Sequence, residues 1–479
     1  MGYPHDSTQT RISDRIIRSD SFNGQPDPSV SVKKRIIFAN FMTLIHRIRH
    51  PERVGRNAFY HLVTNKEKKN MLKRKRNLRC GKGLLAGFLL SIALTISGQT
   101  AESGNQLRVS LLTCSPSNDE TYTLYGHTAI RIQETLETES FIRTSDYVFN
   151  YGIFDFSKPN FIYRFARGET DYILGVMDFE SYLNEYRMRG SEVCEQVLNL
   201  DSTERVALLQ ALTTNALPEN RVYRYNFFFD NCATRPAVMI EQAVQGKIAY
   251  AERRVEESFR DMINYCTRNH PWNTFGCDLA LGSPTDRTMT LRESFFIPAR
   301  LKEAFAEAWI IRPDGSKHRL VSATHILTEE VKDEPEKTFF TPLVCSLIFF
   351  VIVALLTLIE TRKKTYFRWL DVGLFFLAGA AGCVLFFLSF LSVHPCMWPN
   401  SSLGWLHPLH WVGAVLMAVK KLNKAAYCYH FINFAALCAV PIGWILLPQH
   451  LNIAFIPLML SLMLRSGKYL IRRKTKQFE

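Results

Sequence analysis

The sequence predicts an α+β domain followed by an all-α helical membrane domain of about five spans. Three observations carry that prediction. Between residues 107 and 245, short segments of alternating apolar and polar residues, the period of a half-buried strand, are interleaved with amphipathic helical stretches. From residue 339 the composition turns to long apolar runs. The loops between those runs are alternately basic and uncharged, as in a chain that crosses a bilayer repeatedly.

Taken in order, 107–113 reads as a strand and "CSPSNDETY" as a polar loop. In "YGHTAIRI", Thr128, Ile130 and Ile132 fall on one side of a strand and His127, Ala129 and Arg131 on the other. "YVFNYGIFDF" is a second, aromatic strand. "FIYRFARGETDYILGVM" predicts a strand–turn–strand hairpin with Gly168 near the turn. Residues 179–189 form an amphipathic helix, and "VCEQVLNL" a strand. Asp201 caps a helix running to about Asn215, helped by Glu204 three residues on. "RVYRYNFFF" predicts a strand through Phe229, followed by a helix from Cys232 to about Gln245.

The membrane spans fall at about 339–359, 370–391, 405–419, 427–447 and 451–466. "ETRKKTYFR", "KKLNK" and the tail "RSGKYLIRRKTKQFE" are basic and belong to the cytoplasmic side, whereas "SVHPCMWPNSS" and "PQHLN" carry no Lys or Arg and face outward. An odd number of spans starting outside ends inside, as the basic tail requires. Upstream, the apolar run 84–96 follows "KRKRNLRCGK" and precedes "SGQTAESG", the pattern of a secretory signal or signal anchor. The expected organisation is therefore a basic extension over 1–70, disordered or upstream of a start at Met71. A signal segment follows over 71–100, with any cleavage after about Gly98. A domain outside the cytoplasmic membrane (the periplasm, in a bacterium) spans 101–335, and a membrane domain 336–479.

The net charge of +14 does not imply nucleic acid, because 19 of the 58 Lys and Arg but only 6 of the 44 Asp and Glu lie in residues 1–82. The eleven cysteines are scattered, with no CxxC and no zinc-ligand spacing, so no metal or other cofactor is expected. Export permits disulfides. Cys266 with Cys277, or Cys114 with Cys194, are candidate pairs, with Cys232 the natural odd thiol.

Cys232 lies in "FFFDNCATRP". Asp230 or Asn231 suits an N-cap and Pro236 the first helical turn, which puts the thiol among free backbone N–H groups. Such a position lowers a thiol pKa and offers donors for an oxyanion, with Asn231 a further donor. Thiol chemistry needs a base, and His127, preceded by Gly126, is the leading candidate. Asn150, on the next strand, is the first choice to orient the imidazole, and Asp155 the second. Spacing alone leaves Cys232 equally readable as a small buried residue. Arg235 is a candidate for a lipid phosphate or a plain surface charge. His394, Asn400, Trp405 and His407 form either an interfacial belt or a substrate contact.

"LYGHTAIRI", "FNYGIFDF", "YRFARGETDYILG", "LPENRVYRYNFFFDNCATRP" and "FRDMINYCTRNHPWNTFGCDLALGSPTDR" resemble, in order and wording, the periplasmic domain of the Lnb-like lipoprotein N-acyltransferases. "VHPCMWPNSSLGWLHPLHW" resembles the membrane domain attached to it, although "NSSLGWLHPLH" stands where a longer apolar run is usual. The resemblance covers about residues 105–465. It implies a circularly permuted papain-like fold in which His precedes Cys, with the pair on His127 and Cys232. It also implies a membrane enzyme that moves an acyl chain from a phospholipid, through a Cys thioester, to the α-amine of a diacylated lipoprotein. Two readings stand beside it: a membrane-anchored cysteine peptidase or amidase acting on cell-wall peptides, and a non-catalytic membrane scaffold. A wall hydrolase needs a single anchor, which the apolar C-terminal third far exceeds.

Overall fold

The computed structural model describes residues 106–137, 142–157, 159–331, 338–446 and 448–475. The expected basic extension and signal segment lie outside the described residues. In chain order the elements are β1 Gln106–Cys114, β2 His127–Glu137, β3 Ile142–Ile153, α1 Phe161–Arg167, β4 Asp171–Asp178, α2 Phe179–Met188, β5 Val193–Leu198, α3 Ser202–Ala216, β6 Val222–Arg224 and α4 Thr234–Ala243. Then follow β7 Lys247–Ala249, α5 Phe259–Thr267, α6 Pro271–Ala280, α7 Pro298–Glu307, β8 Trp309–Ile311, β9 Lys317–Arg319 and β10 Val321–Thr328. The helical region holds α8 Pro342–Arg362, α9 Arg368–Phe390, α10 Leu409–Ala418, α11 Asn423–Leu446 and α12 Phe455–Thr475.

The α+β expectation holds. Seven strands form one antiparallel sheet in the order β10-β5-β1-β2-β3-β4-β6. The alternation in "HTAIRI" sorts its residues to the two faces. Ile130 and Ile132 join the core formed with α3, α4 and α7, through Leu208, Ile240 and Phe305. Ala129 joins Leu112, Cys114 and the α2 residues Phe179, Tyr182 and Tyr186 on the other face. Arg131 is buried on that second face, paired with Asp146 at 2.6 Å and Glu195 at 3.0 Å and lying over the Phe179 ring. With both partners charged and the guanidinium stacked, the pair ties β2, β3, β5 and α2 into one block.

Three local expectations are corrected. The predicted hairpin over 161–177 is helix, turn and strand: α1 ends at Gly168, whose φ of 75° and ψ of 22° make it a left-handed C-cap. The strand predicted through Phe229 stops at Arg224. Asn226 and Asp230 exchange backbone hydrogen bonds while the Asn226 side chain accepts from the N–H groups of Phe228 and Phe229, so the three phenylalanines sit in a tight turn. The described cysteines are free. Cys114 lies opposite Val193 and Cys194 opposite Thr113, so the two thiols point to opposite faces of the sheet and cannot bridge.

Five apolar helices occupy the C-terminal region. α8 and α9 are each long and apolar enough to cross a membrane alone. The third predicted span differs. Its helix α10 has 10 residues, about 15 Å, and turns by 111° into α11. The stretch before it is irregular because "PNSSLGWLHP" is framed by two prolines and rich in cap residues. That irregular half lies against the middle of α9, where a Cβ on Gly382 would meet the His407 backbone at 2.4 Å. At the other end Arg368 donates to the Ala418 carbonyl at 3.4 Å. The predicted third span is thus a short helix preceded by a 3-10 turn at Ser401–Gly404 and an irregular link. α12 runs to Thr475, beyond the predicted 466, and carries a fully buried Arg465 that pairs with Glu360 of α8 and Asp371 of α9.

The sheet domain and the helices meet through α6 and the segment after it. Asn400 donates to the carbonyls of Leu279 (2.9 Å) and Ala280 (3.1 Å), Gln449 donates to the Leu281 carbonyl, and Asn452 donates to Asp278. Arg260, buried beneath, pairs with Asp278 and Asp286. Gly282 is required there, since a Cβ would fall 2.2 Å from the Pro399 carbonyl oxygen.

Candidate active site

The site is built where β2 begins, beside a bulge in β3. Gly126 has φ 78°, and a Cβ on it would stand 2.7 Å from the Cys114 carbonyl oxygen, so only glycine delivers His127 to this position. Asn150 pairs with Gly175 of β4, and the register shifts before Ile153. Such a bulge re-aims side chains at the rim of a sheet. Its consequence is a hydrogen bond of 2.6 Å between His127 Nε2 and Asn150 Oδ1. Because a carbonyl oxygen accepts, Nε2 carries the proton and Nδ1 keeps its lone pair.

Gly152, at φ 97° in the bulge, separates the imidazole from the thiol. A Cβ there would contact Cys232 Cβ at 3.4 Å and His127 Cε1 at 3.8 Å. His127 and Cys232 thus both lie against Gly152, and the absent side chain keeps the space beside them open. The backbone N–H groups of Thr128 and of Cys232 itself are directed at the thiol. Sequence spacing put His127 and Cys232 105 residues apart; the fold brings both to Gly152.

The electrostatics differ from the expectation for a helix start. The helix begins at Thr234, with Ala233 as its N-cap, so Cys232 precedes the first turn. Burial pushes the Cys232 thiol up to about 11, against the two backbone N–H groups that favour the thiolate. Burial likewise pushes His127 down to about 4; the Asn150 hydrogen bond opposes this and the Arg189 charge adds to it. At neutral pH Cys232 is therefore a neutral thiol and His127 a neutral imidazole.

Asn231 is corrected. Its Oδ1 accepts from the N–H groups of Ala233 (2.9 Å) and Thr234 (3.0 Å), and its amide donates to the carbonyls of Phe227 (3.0 Å) and Phe296 (2.8 Å). Both amide hydrogens are engaged, so Asn231 holds the turn and does not offer them to an oxyanion. Arg235 is held by Asp230 in a two-pronged pair of 2.5 and 2.7 Å and lies over the Tyr223 ring, which makes it a brace for the Cys232 turn. Asp155 accepts from Ser157 in its own loop.

The four loop residues read as an interfacial belt or a substrate contact are engaged as follows. His394 Nε2 donates to the Phe165 carbonyl at 2.7 Å, and Asn400 joins the interface with α6. Trp405 is 2% exposed and packs on Phe455. His407 stacks on His410 with ring centroids 4.0 Å apart.

A cavity of about 350 Å³ opens on His127, Asn150 and Gly152. Its lining combines apolar and aromatic side chains, among them Tyr122, Ile153, Phe154, Phe156 and Met177, with polar ones, among them Ser115, Ser117, Glu185, Arg189 and Ser191. Arg189 is paired with Glu185. Sequence reasoning missed Gly152 and the N–H of Thr128. A signal for the first was present: a glycine two residues after Asn150, inside an aromatic strand, marks a bulge.

Two family models match the chain in order. One, for the Lnb N-terminal periplasmic domain, matches residues 99–267; the other, for the Lnb transmembrane domain, matches residues 334–477. No curated protein and no solved structure matches it. The first match contains His127, Asn150 and Cys232, and the second contains all five apolar helices. The chain is an Lnb-like membrane protein with a periplasmic domain.

Proposed function

We propose that this protein is a lipoprotein N-acyltransferase of the cytoplasmic membrane, with Cys232 as nucleophile. The observation that carries the proposal is the bond between His127 Nε2 and Asn150 Oδ1, which leaves Nδ1 as the basic nitrogen on a ring separated from Cys232 by a glycine. The chain order His127, Asn150, Cys232 suits a circularly permuted papain-like site on a catalytic domain of residues 101–335. The helical region would cross the membrane five times and hold the site at the bilayer, where both lipid substrates reside.

In the first half-reaction His127 Nδ1 takes the thiol proton as Cys232 Sγ attacks the ester carbonyl of a phospholipid acyl chain. The backbone N–H groups of Thr128 and Cys232, which favour the thiolate, would stabilise the oxyanion. The C–O bond breaks, the proton passes from His127 to the departing lysophospholipid oxygen, and an acyl thioester remains. In the second, the α-amine of a diacylglyceryl-cysteine attacks the thioester carbonyl. His127 accepts an amine proton and returns it to the sulfur as the C–S bond breaks. The mixed lining of the cavity supports this, since its apolar side chains suit an acyl chain and its polar ones a headgroup or a peptide terminus.

The test is expression of wild type, Cys232→Ser and His127→Ala in a strain lacking its own lipoprotein N-acyltransferase. Mass spectrometry of lipoprotein N-terminal peptides reads the outcome. An added acyl chain with wild type alone is expected; none with wild type ends the proposal, and an acyl chain with Cys232→Ser ends the role of that thiol.

A further inference from the structure

α1 buries none of its seven residues fully, and it follows the aromatic corner at the end of β3. Phe156 is 63% and Ile162 61% exposed, with Tyr163 and Phe165 about half exposed. Apolar side chains grouped on a surface in this way mark a binding site or a membrane contact. The position of α1 decides between them. Tyr163 packs on Phe387 near the end of α9, the Val393 N–H donates to the Arg167 carbonyl, and His394 donates to the Phe165 carbonyl. A Cβ on Gly168 would stand 3.0 Å from the His394 backbone nitrogen, so the contact is close along its length. α1 is thereby fastened to the C-terminal end of α9, a helix long and apolar enough to cross a membrane.

From α1 an unbroken series of rings leads to the catalytic cavity. Phe165 stacks on Phe161 at 6.1 Å, and Phe161 meets Phe156 at 4.8 Å and Phe154 at 5.9 Å. Phe154 then contacts Tyr122 edge-on at 5.5 Å. Phe156, Phe154 and Tyr122 line the cavity that opens on His127. Arg164 and Arg167 are held by Asp171 and Glu169, which keeps their charges off the track.

We propose that this aromatic track is the inlet for one acyl chain of an outer-leaflet phospholipid, running from α1 at the bilayer surface to the cavity beside His127, and that Phe154 and Tyr122 contact the chain at its reactive end. The proposal rests on the acyl-transfer reading but is tested apart from it. Full-length Cys232→Ala protein, which cannot form a thioester, is reconstituted in phospholipid vesicles. These carry a trace of phospholipid with a photoactivatable diazirine on the acyl chain near the ester. Expected are adducts on the peptides holding Tyr122 and Phe154 as well as on α1. Phe156→Ser with Phe165→Ser should lower the Tyr122 and Phe154 adducts at least tenfold, and Phe156→Leu should restore them in the presence of wild-type Phe165. Both substituted side chains are exposed, so the core is left intact. Absence of adducts in the cavity, or equal labelling in the serine variant, overturns the inlet. Neither outcome bears on whether Cys232 is acylated, which is read separately on wild type with the same vesicles.

Discussion

His127 Nε2 and Asn150 Oδ1 lie 2.6 Å apart, a contact made between neighbouring strands because β3 bulges between Asn150 and Ile153. This one bond fixes both the tautomer and the orientation of the imidazole, and it leaves Nδ1 as the only basic nitrogen. Asn150→Ala is therefore expected to lower acyl transfer by about a hundredfold. Asn150→Asp, which puts a negative charge against the ring, should raise the His127 pKa and move the acid limb of the pH–rate profile upward. A profile unchanged in Asn150→Asp would show that the amide does not act through His127.

Cys232 should behave as a thiol and not as a resting thiolate. With burial holding it at about 11, its alkylation by iodoacetamide should be slow at neutral pH and climb steadily into the alkaline range. An early plateau, flat from pH 5 upward, would mean a thiolate–imidazolium pair instead.

The lowered His127 pKa has a consequence for stability. The unfolded chain takes up a proton at an ordinary value near 6.5, whereas the folded site does so only near 4. Between these values the unfolded state binds more protons, so this residue's effect destabilises the fold as pH falls from about 6.5 to 4. His127→Gln should flatten the decline of thermal midpoint over that window, measured in the same detergent. An unchanged slope would contradict the burial of the ring.

Gly152→Ala should cost about 1–3 kcal/mol of stability, because φ 97° is unfavourable for any residue with a Cβ. Activity should fall further than stability accounts for, since the added methyl would stand between Cys232 and His127. Thermal melts and acyl-transfer rates on one preparation separate the two effects.

Arg465 joins Glu360 of α8 and Asp371 of α9 from α12 and also donates to Thr357 at 2.8 Å. Arg465→Met removes the cation that these two buried carboxylates share and should destabilise the helical region by about 3–5 kcal/mol. The triple replacement Arg465→Met, Glu360→Gln, Asp371→Asn should recover part of that loss in a detergent unfolding assay. No recovery would mean that the loss was of packing and not of charge balance.

Much of the sheet was legible because its strands are antiparallel and covered by different elements on each face. The two-residue period of Thr128, Ile130 and Ile132 then survives in the sequence. The 161–167 segment was not legible. Its aromatic and β-branched residues have strand propensity, and what keeps it helical includes the Gly168 cap and contacts with Phe387 and His394, more than 200 residues away. Of the site, Cys232, His127 and Asn150 were open to chemical reasoning from residue type and strand position. The partners of Asn231, Arg235 and Asn400 were not. Each is a polar group whose role depends on a carbonyl or carboxylate that the fold brings to it, and sequence patterns record apolar faces far better than such matches.

The most direct test of the central claim is the mass of the intact protein after incubation with phospholipid vesicles in the absence of acceptor. An added acyl mass that maps to Cys232, is released by neutral hydroxylamine and is missing in Cys232→Ser is the predicted result. Unmodified wild-type protein under conditions where iodoacetamide alkylates Cys232 would contradict the account.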